Sequence, residues 1–200
     1  MSYAGGMSLP AGDAQLVQIM DAMLAEASRK AGAWLACRPG CTQCCHGAFA
    51  INALDKERLR AAMLELDPVV ANEVRARALA WIDEFGPDYP GNVRTGTLGT
   101  SEEEQARFEE FADDAPCPAL NPVTGLCDVY SSRPMTCRVF GPPVRMAEGD
   151  ALGCCELCFV GASEAEIAAC EMSIPHEMEA DLLGQCGESG QTVVAFALVS

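Results

Sequence analysis

The residues of this sequence that can do chemistry are its cysteines, twelve in 200. Four lie in Cys37-Arg-Pro-Gly-Cys41-Thr-Gln-Cys44-Cys45, a segment bent by Pro39 and Gly40. Three more occur in Cys117-Pro-Ala-Leu, Gly125-Leu-Cys127-Asp-Val-Tyr130 and Arg133-Pro-Met-Thr-Cys137-Arg-Val-Phe140, and Cys154, Cys155 and Cys158 follow. Short spacings on a bent loop let neighbouring thiolates converge on one ion or cluster while backbone amides hydrogen-bond to the sulfurs. Adjacent side chains of an extended segment point opposite ways, so Cys44 and Cys45 either serve different sites or one of them packs.

An even cysteine count also invites a disulfide reading, which the expected compartment opposes. The opening MSYAGGMSLPAGDAQ has neither a basic start nor an apolar run of secretion-signal length, so a reducing, cytoplasmic setting is expected. The longest apolar stretch, Val193 to Val199, is far shorter than the ~20 residues needed to cross a bilayer. A formal charge of −16 disfavours nucleic acid and anionic membrane surfaces as partners. Within that acidic chain the cysteine segments are basic islands. Arg38 lies between Cys37 and Leu54 with no acid, and Arg133, Arg138 and Arg145 face Asp128 alone between Ala115 and Ala147. A four-thiolate site with zinc or an oxidised four-iron cluster carries a net charge of about −2 and is favoured by such neighbours. The alternative is that these arginines pair with acids elsewhere.

The elements that must position these loops are mostly helical. Leu16, Ile19, Met20, Met23, Leu24 and Ala27 recur at helical spacing between Asp13, read as an N-cap, and Gly32, read as a stop. Helices are predicted over Asp55–Leu66 and from Asp67 or Pro68 to Phe85, the latter with Leu79, Ile82 and Phe85 on one face. Residues 86–100 read as a mobile connector. Ser101 and Glu104 form a capping box for a helix to about Ala112, with Phe108 and Phe111 inward. Residues 115–143 carry six prolines and read as irregular, with one short strand or turn over Leu126–Tyr130. A loop that long needs something to fix it, and metal ligation would. Two short helices, Glu164–Met172 and Pro175–Gln185, and a terminal strand, Thr192–Val199, complete the chain.

Cys170 on a predicted helix and Cys186 in a Gly-rich turn read as packing residues. His46, next to Cys45, is a candidate ligand or a solvated side chain; His176 reads as part of a helix start. Tyr130 and Phe140 could cover a cluster but read better as ordinary core contacts. There is no Gly-rich phosphate loop, no Ser/His/Asp arrangement and no HExxH helix, which disfavours a conventional hydrolase or nucleotide enzyme.

The CRPGCTQCC run, followed by CPAL, GLCDVY and RPMTCRVF, closely resembles the CxxCxxCC or YkgJ-like family of zinc- or iron-chelating proteins over roughly Cys37 to Cys158. This chain departs from the family name in having three residues between Cys37 and Cys41. The resemblance implies Cys37, Cys41, Cys44, Cys45, Cys117, Cys127 and Cys137 as metal ligands, with Cys154 as an eighth, enough for two sites. Members are often described as iron–sulfur oxidoreductases, and a lysine methylase acting on flagellin contains a similar motif. The fold expected is mainly α with long irregular cysteine-bearing loops, one metal- or cluster-stabilised domain over 1–200 whose metal-binding region is about 37–158. The function expected is binding of a four-iron cluster or of zinc or iron ions. Two other readings are a non-catalytic carrier for zinc, iron or copper, and a redox thiol protein cycling Cys44-Cys45 or Cys155-x-x-Cys158 with a disulfide.

Overall fold

The computed structural model describes residues 8–145, 151–187 and 190–200. The start of the chain (1–7), Met146 and Ala147 lie outside the described residues. The architecture is mainly α, with two-residue antiparallel strand pairs and long irregular segments carrying the cysteines.

Helix α1 (Asp13–Ala31) buries Leu16, Met20 and Ala27 and ends at Gly32, whose φ of 51° is open to glycine at no steric cost. Asp13 is not the cap, as the sequence suggests; Gly12 is, and Asp13 is a buried first-turn residue whose carboxylate accepts from Arg58 Nε at 2.9 Å. Helix α2 (Ala53–Glu65) is capped by Asn52, which accepts from the Asp55 amide at 3.1 Å. Helix α3 (Pro68–Phe85) is capped by Asp67 and has Pro68 in its first turn. Its buried face is Ala71, Val74, Ala78 and Trp81, one step round from the face predicted. Leu79 is half exposed, while Ile82 and Phe85 pack at the edge of an aromatic cluster.

The connector over 86–100 contains a short hairpin. Strands β1 (Ala50–Ile51), β2 (Gly91–Asn92) and β3 (Thr97–Leu98) are short, and β2 pairs with β3 in a hairpin held by Tyr89 Oη donating to the Gly96 carbonyl at 2.7 Å. Phe196 lies so close to Gly96 that a Cβ there would stand 2.4 Å from its ring. Helix α4 (Glu102–Glu109) has both halves of the predicted capping box but ends short of Ala112. Residues 115–143 are largely irregular, as expected, but include one helical turn not anticipated, α5 (Met135–Val139). Beyond it, strands β4 (Val144–Arg145) and β5 (Leu152–Gly153) pair, followed by α6 (Glu164–Ala169) and α7 (His176–Cys186).

The predicted terminal strand is corrected. Only Thr192–Val193 is strand, β6, pairing with β1, and the chain then turns into helix α8 (Val194–Val199). A short apolar run has no periodicity to separate strand from helix, and this one is buried nearly all round. Val194, Ala197 and Leu198 pack into the core between α2 and α3, and Ala195 and Phe196 face the aromatic cluster. Helices α1, α5 and α7 pack about Ala53 and Leu54 at the start of α2. Among the described residues, no helix is long and apolar enough to cross a membrane.

Candidate metal centre

The cysteines collect in two places. In the first, Cys44, Cys45, Cys117, Cys127 and Cys137 converge from separate segments. The Cys117 amide donates to the Cys45 carbonyl at 2.7 Å and the Gly47 amide to the Ala115 carbonyl at 2.9 Å, so the two segments run antiparallel with His46 opposite Pro116. Residues 117–120 then turn, with Leu120 opposite Cys127 and the Asp128 amide donating to Ala119 at 2.9 Å. Arg77 of α3 clamps both sides of this turn, donating to the Pro118 carbonyl at 2.8 Å and to Asp128 at 2.6 Å. Cys137 arrives on α5, whose Met135 amide donates to the buried Asp55 carboxylate at 2.9 Å.

Sulfur is met by backbone N–H groups here. The amides of Ala119 and Leu120 point at the Cys117 thiol and that of Val129 at Cys127, the pattern that loops use to stabilise thiolates. Burial pushes the Cys117 thiol up to about 12 and also raises Cys127 and Cys137, with neighbouring thiols adding to the effect. Cys44 alone goes the other way, to about 6, because the Cys45 thiol donates to it, with its own backbone amide and Arg133 also lowering it. Cys45 is raised by making that donation. Both members of the vicinal pair lie near the Cys117 and Cys127 thiols.

The second place holds Cys37, Cys41, Cys155 and Cys158. The Cys158 thiol accepts from the Ala36 amide at 3.4 Å and hydrogen-bonds with the thiols of Cys37 and Cys155. The Phe159 amide donates to the Trp34 carbonyl at 2.8 Å, fastening the two segments. Cys154, expected among the ligands, is exposed, whereas Cys158 is buried. Among the described residues, no three His, Cys, Asp or Glu side chains already stand in a ligating arrangement.

The basic islands are mostly neutralised. Arg138, fully buried, donates to Asp21 of α1 and to the Ser131 and Arg133 carbonyls, and Arg145 pairs with Glu171 at 2.8 Å. Arg133 shares Asp21 with Arg138, at 3.4 Å, and also lies 4.1 Å over the Tyr130 ring, where its charge lowers the Cys44 and Cys127 thiols. Tyr130 and Phe140 are 62% and 43% exposed, so neither is a core contact. His46 is exposed with Nδ1 3.0 Å from the Thr42 carbonyl. Cys170 and Cys186 are buried in apolar clusters, as expected of packing residues.

An all-sulfur donor set with amide support fits zinc or iron, both of which accept four thiolates. In comparisons with known proteins, residues 36–158 match the CxxCxxCC family model, described as "Putative zinc- or iron-chelating domain". No curated protein and no solved structure matches.

Proposed function

The chain belongs to the CxxCxxCC family, and from that premise we propose that it binds zinc or iron through thiolates, with Cys44, Cys117, Cys127 and Cys137 as the ligands of its main centre. The observation that carries this reading is the convergence of these thiols from the CRPGCTQCC run, the Cys117–Cys127 turn and α5 onto one half-buried place. Burial and mutual repulsion oppose ionisation of three of the four, and a bound cation removes both penalties at once. Cys45 supports Cys44 by hydrogen bond.

The finer reading is a four-iron cluster in a cytoplasmic protein, which would supply one-electron chemistry when bound. In this reading, the chain's own residues do the rest. The amides of Ala119, Leu120 and Val129 and the Arg133 guanidinium would offset the negative charge, and Arg77 and Asp55 would fix where Cys117, Cys127 and Cys137 stand. A carrier for zinc or iron is the second reading, favoured by the exposure of Cys37 and Cys154, which solvent and exchanging partners can reach.

Elemental analysis with an absorption spectrum on protein purified without oxygen separates these readings. Iron with sulfide and a broad band near ~400 nm supports the cluster; zinc without colour supports the closed zinc site or carrier. Metal content unchanged in Cys117→Ser and Cys137→Ser would refute the ligand assignment.

A further inference from the structure

The Cys37–Cys45 run reaches both places where the cysteines collect. We infer that Cys37, Cys41, Cys155 and Cys158 form a second thiolate centre, separate from the Cys44 group, so that the run is divided between two metal sites across Thr42 and Gln43. This rests on the reading of the chain as a thiolate metal binder and extends it to residues and a stoichiometry that reading does not require.

The geometry of each contributor supports it. The Cys158 amide donates to the Cys155 carbonyl at 2.8 Å, a turn that brings the two sulfurs of Cys155-Glu-Leu-Cys158 to one side. Because neighbouring side chains in an extended stretch diverge, aiming Cys155 inward sends Cys154 out, where it is exposed. On the other strand of the site, the Cys41 amide donates to the Arg38 carbonyl at 2.9 Å, closing a turn around Pro39 and Gly40 between Cys37 and Cys41. The two halves are fastened by the Phe159–Trp34 and Ala36–Cys158 contacts.

Gly141 forms the floor. Its φ is 113°, its carbonyl accepts from the Cys155 amide at 3.4 Å, and a Cβ there would stand 2.7 Å from the Cys37 sulfur. The buried ligand Cys158 packs with Ala31, Phe159 and Cys170 in an apolar cluster of their own, so this place has its own packing.

Four sulfurs suit zinc or an iron–sulfur cluster, and the Glu156 carboxylate between Cys155 and Cys158 accepts from Gln43 Nε2 at 2.7 Å. Only Thr42 and Gln43 separate Cys41 from Cys44, so the backbones of these two ligands are no more than about 10 Å apart along the chain.

The test uses the full chain, reduced and stripped of metal under nitrogen, titrated with zinc(II) or reconstituted with ferrous iron and sulfide, then labelled with N-ethylmaleimide and mapped by peptide mass spectrometry. Two centres per chain are expected, with Cys37 and Cys155 labelled about tenfold more slowly than without metal while Cys154 is unchanged. Gly141→Ala, which keeps every sulfur, should bind one centre and leave Cys117 and Cys127 protected. One centre in the wild type, with Cys117 and Cys127 protected but Cys37 and Cys155 labelled as fast as Cys154, would overturn the second centre and leave the first reading standing. Protection of Cys154 in place of Cys155 would overturn the ligand set. No metal and no protection at any cysteine would instead refute metal binding itself.

Discussion

The peptide N–H of Cys117 donates to the carbonyl of Cys45 at 2.7 Å, so the two cysteine-rich segments meet backbone to backbone at the thiols themselves. The partner of that bond is Gly47, whose amide donates to Ala115 and whose φ is 85°.

Gly47→Ala should break this pairing. A Cβ there would stand 2.9 Å from the Asp113 carbonyl oxygen in a conformation that L side chains avoid, costing about 2 kcal/mol or more. The expected result is a lower urea midpoint together with loss of metal from the Cys44 group. Full metal content at wild-type stability would show that the pairing does not position the thiols.

Arg77 ties α3 to both sides of the Cys117–Cys127 turn. Arg77→Ala should cost about 2 kcal/mol, the worth of charge-assisted hydrogen bonds, and speed metal loss to a chelator. Arg77→Lys should recover little, because an ammonium cannot reach a carbonyl and a carboxylate with the guanidinium's fixed fork. Chelator-competition kinetics on the three proteins checks this.

Arg58 lies between two buried carboxylates, Asp13 and Asp55, and one cation serves two acids. Burial raises Asp55 from 3.8 to about 6 despite the pull of Arg58 and the Met135 amide. A carboxyl raised on folding contributes stability that is fully present below its unfolded value and is lost as pH rises through about 6. Asp55→Asn keeps an acceptor for Met135 and cannot ionise. Relative to wild type it should gain stability between about pH 4 and 7, by at most about 3 kcal/mol. Urea denaturation of both metal-free, reduced chains across that range measures the difference, and parallel curves would refute it.

Chelation should act unevenly. The α2, α3 and α8 core is packed by Leu59, Val74, Ala78 and Leu198 and contains no proposed ligand among its buried residues, whereas residues 115–143 lack long elements of their own. Hydrogen exchange should therefore rise strongly around Cys117–Cys137 on metal removal and little in α3. Uniform exchange throughout would mean that the loops are fixed without metal.

Local rules made much of this protein legible. The capping box at Ser101, Pro68 opening α3 and Gly32 closing α1 are short-range signals, and each stands where expected. Cap and face depend on partners elsewhere in the chain. Asp13 looks like a cap because aspartate favours that position, but its partner Arg58 lies on another helix and draws it inside. Helical spacing points to Leu79 as a buried-face residue, but α8 covers α3 one step away, at Ala78 and Trp81. The strand expected at the C-terminus became α8 because burial on all sides leaves no periodic pattern to read.

The sequence by itself determined the chemistry: thiols in number, on bent loops, with amides and arginines near them, and the family to which that order of motifs belongs. What only the tertiary structure decided is which thiols stand together. Cys44 faces Cys117 and Cys137, while Cys37 meets Cys158, because these partners are set by Arg77, Asp55 and the Trp34–Phe159 contact. Spacing constrains neighbours along the chain, but a partner across it is chosen by packing among helices that the cysteine motifs do not contain.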